Sequence, residues 1–179
     1  MVEYEQAGLI ELFFSDECGF SLNPSIPYGW QPIGIQRGIR SANDRVINLF
    51  GLLSKNGKLI TYATEQNINS DFIIECINEI GLRATKDKPV IIVLDNAPWH
   101  KSLKMVRKQK EWERKNLYLF FIPPYSPHLN LIEILWRNIK YKWLKPKHYK
   151  NRSTMKKAIF NIIRNYGNSF SIQFANNFN

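Results

Sequence analysis

Cysteine is nearly absent from this sequence: 179 residues hold two, Cys18 and Cys76, with no ligand-like spacing. That excludes a disulfide-stapled miniprotein and reads as two free thiols in a reducing compartment. Long apolar runs are missing too. Stretches such as Leu12–Phe14 and Val90–Leu94 fall far short of the ~20 residues needed to span a bilayer. The opening residues, Met1-Val2-Glu3-Tyr4-Glu5, are acidic and lack the apolar stretch of a secretory signal. There is no internal repeat and no low-complexity segment. The expectation is a soluble intracellular domain with no membrane partner.

Charge of one sign is missing from one region. Residues 1–133 hold 15 Lys+Arg and 15 Asp+Glu, a net of zero, whereas residues 134–179 hold 10 basic residues and no acidic one. The whole +10 excess therefore sits at the C-terminal end. Such a block suits a polyanion such as nucleic acid; a solvated basic surface is the plain alternative.

What is present is core-forming material. Hydrophobic residues make up 44% and aromatics 13% of a 21.1 kDa chain. A chain of this length forms one domain and buries roughly 70% of its unfolded surface. Leu9–Asp16 alternates, with Ile10, Leu12, Phe14 and Asp16 on one face and Glu11, Phe13, Ser15 and Glu17 on the other, as in a strand. Residues 21–44, with Pro24, Pro27 and Pro32, read as a loop or short edge strand. Val46–Leu53 and Lys58–Thr64 flank Asn56-Gly57, a hairpin signal. Ser70 is placed to cap a helix carrying Phe72, Ile73, Ile77 and Ile80, with Gly81 near its end. Val90–Leu94 reads as a strand covered on both faces. Helix follows over Ser102–Lys115, then a strand over Leu117–Ile122 stopped by Pro123-Pro124. Helices over Leu131–Leu144 and Ser153–Tyr166 complete the chain, the last with Met155, Ile159, Ile162, Ile163 and Tyr166 on one face. A hairpin followed by alternating helix and strand predicts an α/β fold with a mixed five-stranded sheet flanked by helices.

Three carboxylates stand in apolar settings. Asp16 ends Leu-Ile-Glu-Leu-Phe-Phe-Ser, Asp95 ends Val-Ile-Ile-Val-Leu, and Glu133 lies in Leu-Asn-Leu-Ile-Glu-Ile-Leu-Trp. Buried carboxylates are costly unless paired or metal-bound, and strand C-termini are where α/β sheets build sites. Each has a plain structural alternative. Asp16 or Asp95 can open a turn, and Asn130 with Glu133 fits a variant capping box, at N-cap and N3. Glu17 points to the opposite strand face from Asp16, so only one of that pair looks into a shared site.

Three motifs carry a resemblance. They are Ser15-Asp16-Glu17, Leu94-Asp95-Asn96-Ala97-Pro98-Trp99-His100, and Pro123-Pro124-Tyr125-Ser126-Pro127-His128-Leu129-Asn130-Leu131-Ile132-Glu133-Ile134-Leu135-Trp136. In this order they resemble the catalytic domain of DDE transposases, in the bacterial insertion-sequence branch of the mariner-like superfamily. The resemblance runs from about residue 9 to about 165. The family often has Pro where this chain has Leu131, a position in the first helical turn where Leu costs little.

The resemblance implies a ribonuclease H-like fold in which Asp16, Asp95 and Glu133 converge as the catalytic, metal-binding triad. Two like charges 4 Å apart repel by about 4 kcal/mol at an effective dielectric near 20, and a cation relieves this. Oxygen ligands without cysteine or a His–His pair favour Mg²⁺ or Mn²⁺, two ions, over Zn²⁺. The chemistry implied is metal-dependent cutting and joining of DNA phosphodiesters during transposition. It acts on double-stranded DNA, transposon ends and target alike, as a homodimer in the active complex and in a prokaryotic cytoplasm at the nucleoid. His100 would orient a phosphate or a water, or else bond a local backbone carbonyl. Asn96 and Asn130 would shape the loop and the cap that hold Asp95 and Glu133. Arg137, Lys140, Lys142, Lys145 and Lys147, with Trp143 and Tyr149 among them, would contact phosphates without reading sequence. For the basic helix from Lys101 to Lys115 a solvated face is the expectation, and for Trp30, Trp99 and Trp136 core packing. Full-length relatives carry an N-terminal helix-turn-helix recognition region. The expected organisation here is one catalytic domain over 1–179, with basic C-terminal helices over 131–166 and no such region. Two other readings stand beside this one: a catalytically silent DNA-binding derivative, and a plain ribonuclease H-like nuclease.

Overall fold

Alternation in the first strand sets up the architecture. A computed structural model describes residues 1–24, 33–34, 44–97, 100, 102–124 and 126–174. After a short helix α1 (Val2–Gln6), strand β1 (Glu11–Ser21) turns Leu12, Phe14, Cys18 and Phe20 to one face and Phe13 to the other. The hairpin follows as expected: β2 (Arg45–Leu53) and β3 (Leu59–Thr64) are antiparallel. Gly57 supplies the positive φ of +81° that their turn needs, and its N–H donates to the Ser54 carbonyl at 3.0 Å. Helix α2 (Ser70–Gly81), β4 (Val90–Leu94), α3 (Leu103–Glu113) and β5 (Leu117–Phe121) continue the alternation, then α4 (Leu131–Asn138) and α5 (Arg152–Arg164) close it.

The sheet order is β3-β2-β1-β4-β5. β1 pairs antiparallel with β2 and parallel with β4, and β4 pairs parallel with β5, so the sheet is mixed and five-stranded. Helices cover both faces. α2 and α3 pack Ile73, Ile77, Ile80, Met105 and Trp112 against Phe13, Phe50 and Ile92. On the other face α4 and α5 pack Ile132, Leu135, Trp136, Met155 and Ile159 against Cys18, Phe20 and Leu49. Each large aliphatic side chain buried this way contributes roughly 1.5–3 kcal/mol. Among the described residues no helix is long and apolar enough to cross a membrane.

Four local expectations are corrected. Asp16 does not end its strand: β1 runs on to Ser21, because β2 pairs with it beyond the point where β4 stops. The cap of α2 is Asn69, whose side chain accepts from the Phe72 N–H at 2.9 Å, and Ser70 is the first helical residue. The helix expected over Leu131–Leu144 is α-helical only to Asn138, and Ile139–Trp143 forms a π turn. The last helix ends at Arg164 rather than Tyr166, and Asn151 caps its start by accepting from the Thr154 N–H at 2.8 Å. The proline-rich loop lies largely outside the described residues, as do Trp30, Trp99 and Lys101.

Candidate active site

The site begins where a ladder stops. The parallel pairing of β1 with β4 ends at Phe14 and Val93, yet β1 continues for seven residues along β2. Past that point the β4-facing edge of β1 must find other partners. Asn130, 2% exposed, donates from Nδ2 to the Ser15 carbonyl at 2.9 Å, and the Ser15 hydroxyl donates to the Val93 carbonyl at 2.9 Å. The start of α4 is thus tied to β1 one residue before Asp16. This overturns the capping box: Asn130 is the N-cap by position, but its side chain makes no cap bond, and Glu133 contributes none in return.

Gly51 sets how closely α4 approaches. It faces Asp16 across the β1–β2 pair, and a Cβ on it would lie 2.6 Å from Trp136 Cζ2 and 2.7 Å from Ile132 Cδ1. Glycine there lets the helix lie directly on the sheet, and Trp136 is core, as expected. Glu133, in the first turn of α4, is carried over the same sheet face as Asp16. Asp95 follows β4 directly. Asn96 donates from Nδ2 to the Ile122 carbonyl, and the Ile122 N–H donates to the Leu94 carbonyl at 3.0 Å, so the ends of β4 and β5 are tied together.

His100 is 2% exposed and lies between two carboxylates. Its Nδ1 is 3.0 Å from Asp95 Oδ1 and 3.3 Å from the Asp95 carbonyl, and its Nε2 is 3.0 Å from Glu17 Oε1. The contact with the Asp95 carbonyl matches the expectation of a bond to a local backbone carbonyl, and the two carboxylate contacts were in neither expectation. Glu17, placed on the other strand face from Asp16, reaches Asp95 through His100. The period of two in the strand shows Glu17 facing away; a contact spanning 83 residues has no signal in sequence. The roles of Ser15 and Gly51 likewise depend on partners far along the chain.

Electrostatics separate the three carboxylates. Burial raises the Asp16 pKa from 3.8 to about 7; the charges of Glu17, Asp95 and Glu133 push the same way, against one backbone hydrogen bond. Asp95 is shifted down, first by the His100 hydrogen bond, with help from the Ala97 N–H that donates to Oδ1 at 3.0 Å; desolvation opposes them. Glu133 is shifted up by burial, against the nearby Arg137 charge and with that of Asp95. Burial works against the His100 cation, but hydrogen bonds to Asp95 and Glu17 outweigh it and raise the pKa to about 9.

Asp95 and Glu133 line one open cleft of about 440 Å³ with Asn96, Ala97, Ile122, Pro123, Pro124 and Ser126. Asp16 lies within electrostatic reach of both. Among the described residues no group of three or more His, Cys, Asp or Glu is placed to hold a metal ion. The donor chemistry still fits a hard divalent cation: the cleft offers carboxylate oxygens, and Asp16 is destabilised as an anion first by burial and then by the neighbouring carboxylates that a cation would screen.

The basic residues after Glu133 divide. Arg137, Lys142, Lys145 and Lys147 are exposed. Lys140 turns inward at the π turn, with its ammonium 5.7 Å from the Phe20 ring centre and beside the Cys18 thiol. Trp143 packs at a 57° tilt against Phe170, ring centres 5.2 Å apart, and Tyr149 is 4% exposed, so both pack rather than face solvent. Arg152 and Lys156 are bound to Asp44 and Glu65. In α3, Lys104 pairs with Asp71 and Lys108 with Glu111.

A notch beside a parallel strand pair is thus bordered by acidic residues on β1, just past the end of β4 and on the following helix α4. The model of the DDE superfamily endonuclease family matches residues 11–156, and the chain belongs to that family. It is 26% identical over 129 residues to the insertion element IS630 uncharacterized 39 kDa protein of Shigella sonnei, covering 70% of this chain and 36% of that one. It is 31% identical over 77 residues to the uncharacterized protein y4pE/y4sA of Sinorhizobium fredii, covering 43% and 53%. The chain thus spans from about a third to about half of these curated relatives. Among solved structures it resembles the Mos1 mariner paired end complex with Mn (TM-score 0.58, 15% identity, 90% of this chain, 51% of that chain). It also resembles the Mos1 strand transfer complex (TM-score 0.56, 16% identity, 90% and 50%). At these identities the likeness is one of fold, and that fold is ribonuclease H-like.

Proposed function

We propose that this chain is the catalytic domain of a transposase, a metal-dependent DNA endonuclease and strand transferase. The carrying observation is that Asp95 and Glu133 line one cleft while Asp16 feels the charge of both. Family membership supports the reaction class. Asp16, Asp95 and Glu133 would hold Mg²⁺ or Mn²⁺. Two such ions, when bound, supply activation of the attacking oxygen and charge stabilisation of the leaving oxygen of a phosphodiester.

The chain's own groups do the rest. His100 and the Ala97 N–H hold Asp95 ionised. Asn130 fixes the start of α4, and Asn96 fixes the loop after β4. Exposed Arg137, Lys142, Lys145 and Lys147 lead duplex DNA toward the cleft through phosphate contacts, with Lys140 lending its charge from behind. Transposon ends and target are the DNA substrates, and a homodimer on DNA is the working form.

The test is a nicking assay on duplex DNA with and without Mg²⁺ or Mn²⁺, beside thermal melts. Wild type should nick only with metal, and Asp16→Asn, Asp95→Asn and Glu133→Gln should each fall to background. Metal at 100 times its Kd should stabilise wild type by about 2.7 kcal/mol. No metal-induced shift at millimolar concentration, with DNA binding intact, would replace this reading by that of a silent DNA-binding protein. Preferential cleavage of an RNA–DNA hybrid would replace it by a plain ribonuclease H-like nuclease.

A further inference from the structure

We propose that Glu17 is a positioning residue that acts through His100 to set which oxygen of Asp95 faces the cleft. This deepens the proposed function and rests on it. Glu17 lies on the α3 face of β1 and Asp95 just past the end of β4, so the two meet only around the notch where the β1–β4 ladder stops. His100 fills that passage. It is 2% exposed and bridges Glu17 Oε1 and Asp95 Oδ1, both at 3.0 Å.

The contacts on Asp95 are one-sided. The His100 ring and the Ala97 N–H both fall on Oδ1, each at 3.0 Å. Two contacts on one oxygen restrain the rotation of the carboxylate, and Oδ2 carries neither of them. The orientation of the imidazole is held in turn by Glu17 at its far nitrogen and by the Asp95 carbonyl, 3.3 Å from the near one. Without Glu17, the Nε2 side of the ring loses a buried acceptor 3.0 Å away, and losing a buried hydrogen bond is costly. The ring then has reason to turn, and Asp95 turns with it. Partners one step behind a ligand commonly alter metal affinity by about 10- to 100-fold.

Three measurements on the whole chain test this. The first is Mn²⁺ binding, followed by the electron paramagnetic resonance of the free ion. The second is the His100 ring N–H signals in metal-free protein by NMR. The third is metal-dependent nicking. Glu17→Ala should weaken Mn²⁺ binding by about 10- to 100-fold and remove the hydrogen-bonded Nε2–H signal. Glu17→Gln, whose amide oxygen accepts from the same N–H, should restore most of both. In a His100→Gln background, Glu17→Ala should add nothing further.

Wild-type Mn²⁺ affinity in a folded Glu17→Ala protein would overturn the inference while leaving the proposed function in place. So would independent, multiplying losses in the double variant. Should Glu17→Ala fail to fold, Glu17→Gln and the wild-type ring signals decide. A wild-type ring without a hydrogen-bonded Nε2–H, or a Glu17→Gln protein that binds Mn²⁺ no better than His100→Gln, would overturn it. No Mn²⁺ binding by wild type would fell the proposed function itself, and this inference with it.

Discussion

The middle of β1 and the end of β4 each present an aspartate near the same notch, and the two are treated in opposite ways. Asp95 lies in a loop and is 44% exposed on its side chain, with His100 and a backbone N–H holding it as an anion. Asp16 lies within a strand, among carboxylates, and is pushed up to about 7. The loop could recruit donors because a chain past a strand end is free to fold back. The strand supplies Asp16 with one backbone hydrogen bond, from Glu17, since its backbone is committed to β2 and its face to α4. One aspartate is thus preset, and the other waits for positive charge.

The largest expected effect breaks this contrast at Asp16. A carboxyl whose folded pKa is raised stabilises the fold fully below its ordinary pKa of 3.8, and that stability is lost as pH rises through about 7. In metal-free protein, Asp16→Asn should therefore flatten the fall in stability between about pH 4 and 7, and raise the melting temperature at pH 8. The upper limit of the gain is roughly 4 kcal/mol. Denaturant melts across pH 4–8 check it; an unchanged profile would remove the crowding argument.

A second test attacks the surface behind Asp16. Gly51→Val places side-chain carbons where Trp136 and Ile132 already lie. It should cost about 1–3 kcal/mol by overpacking and should reduce nicking, because Glu133 rides on the displaced helix. Equal stability with full activity would show that α4 does not depend on this close contact.

Asp95 should give the smaller and opposite response. Its lowered pKa contributes stability above the ordinary value of 3.8, lost as pH falls through the lower folded value. Asp95→Asn should destabilise the metal-free protein at pH 7 by less than about 1 kcal/mol, because the exposed carboxylate is screened by water. A melt in which Asp95→Asn and Asp16→Asn shift the same way would erase the comparison.

The smallest stability effect belongs to the basic stretch. Arg137→Ala, Lys142→Ala and Lys147→Ala should leave stability within about 0.5 kcal/mol of wild type. Each lost phosphate contact should lower the log–log salt slope of DNA binding by roughly 0.9. Lys140 is a poorer choice for this test, because it also packs over Phe20.

Periodicity and turn chemistry were enough to read the element order from β1 onward, the mixed sheet and the opposite facing of Asp16 and Glu17 from the sequence, though not the short helix α1. These are local properties: a period of two, a period of 3.6, and an Asn-Gly turn hold wherever the segment lies. The motifs carried the three candidate carboxylates and the family. Only the tertiary structure decided the rest. It ran β1 past Asp16, because the extra pairing comes from β2 rather than from β1 itself. It took Asn130 from a local cap to a carbonyl 115 residues away, and brought Glu17 to Asp95 through a buried histidine. Contacts of that span depend on which strand ends first in an assembled sheet, and no single segment carries that information.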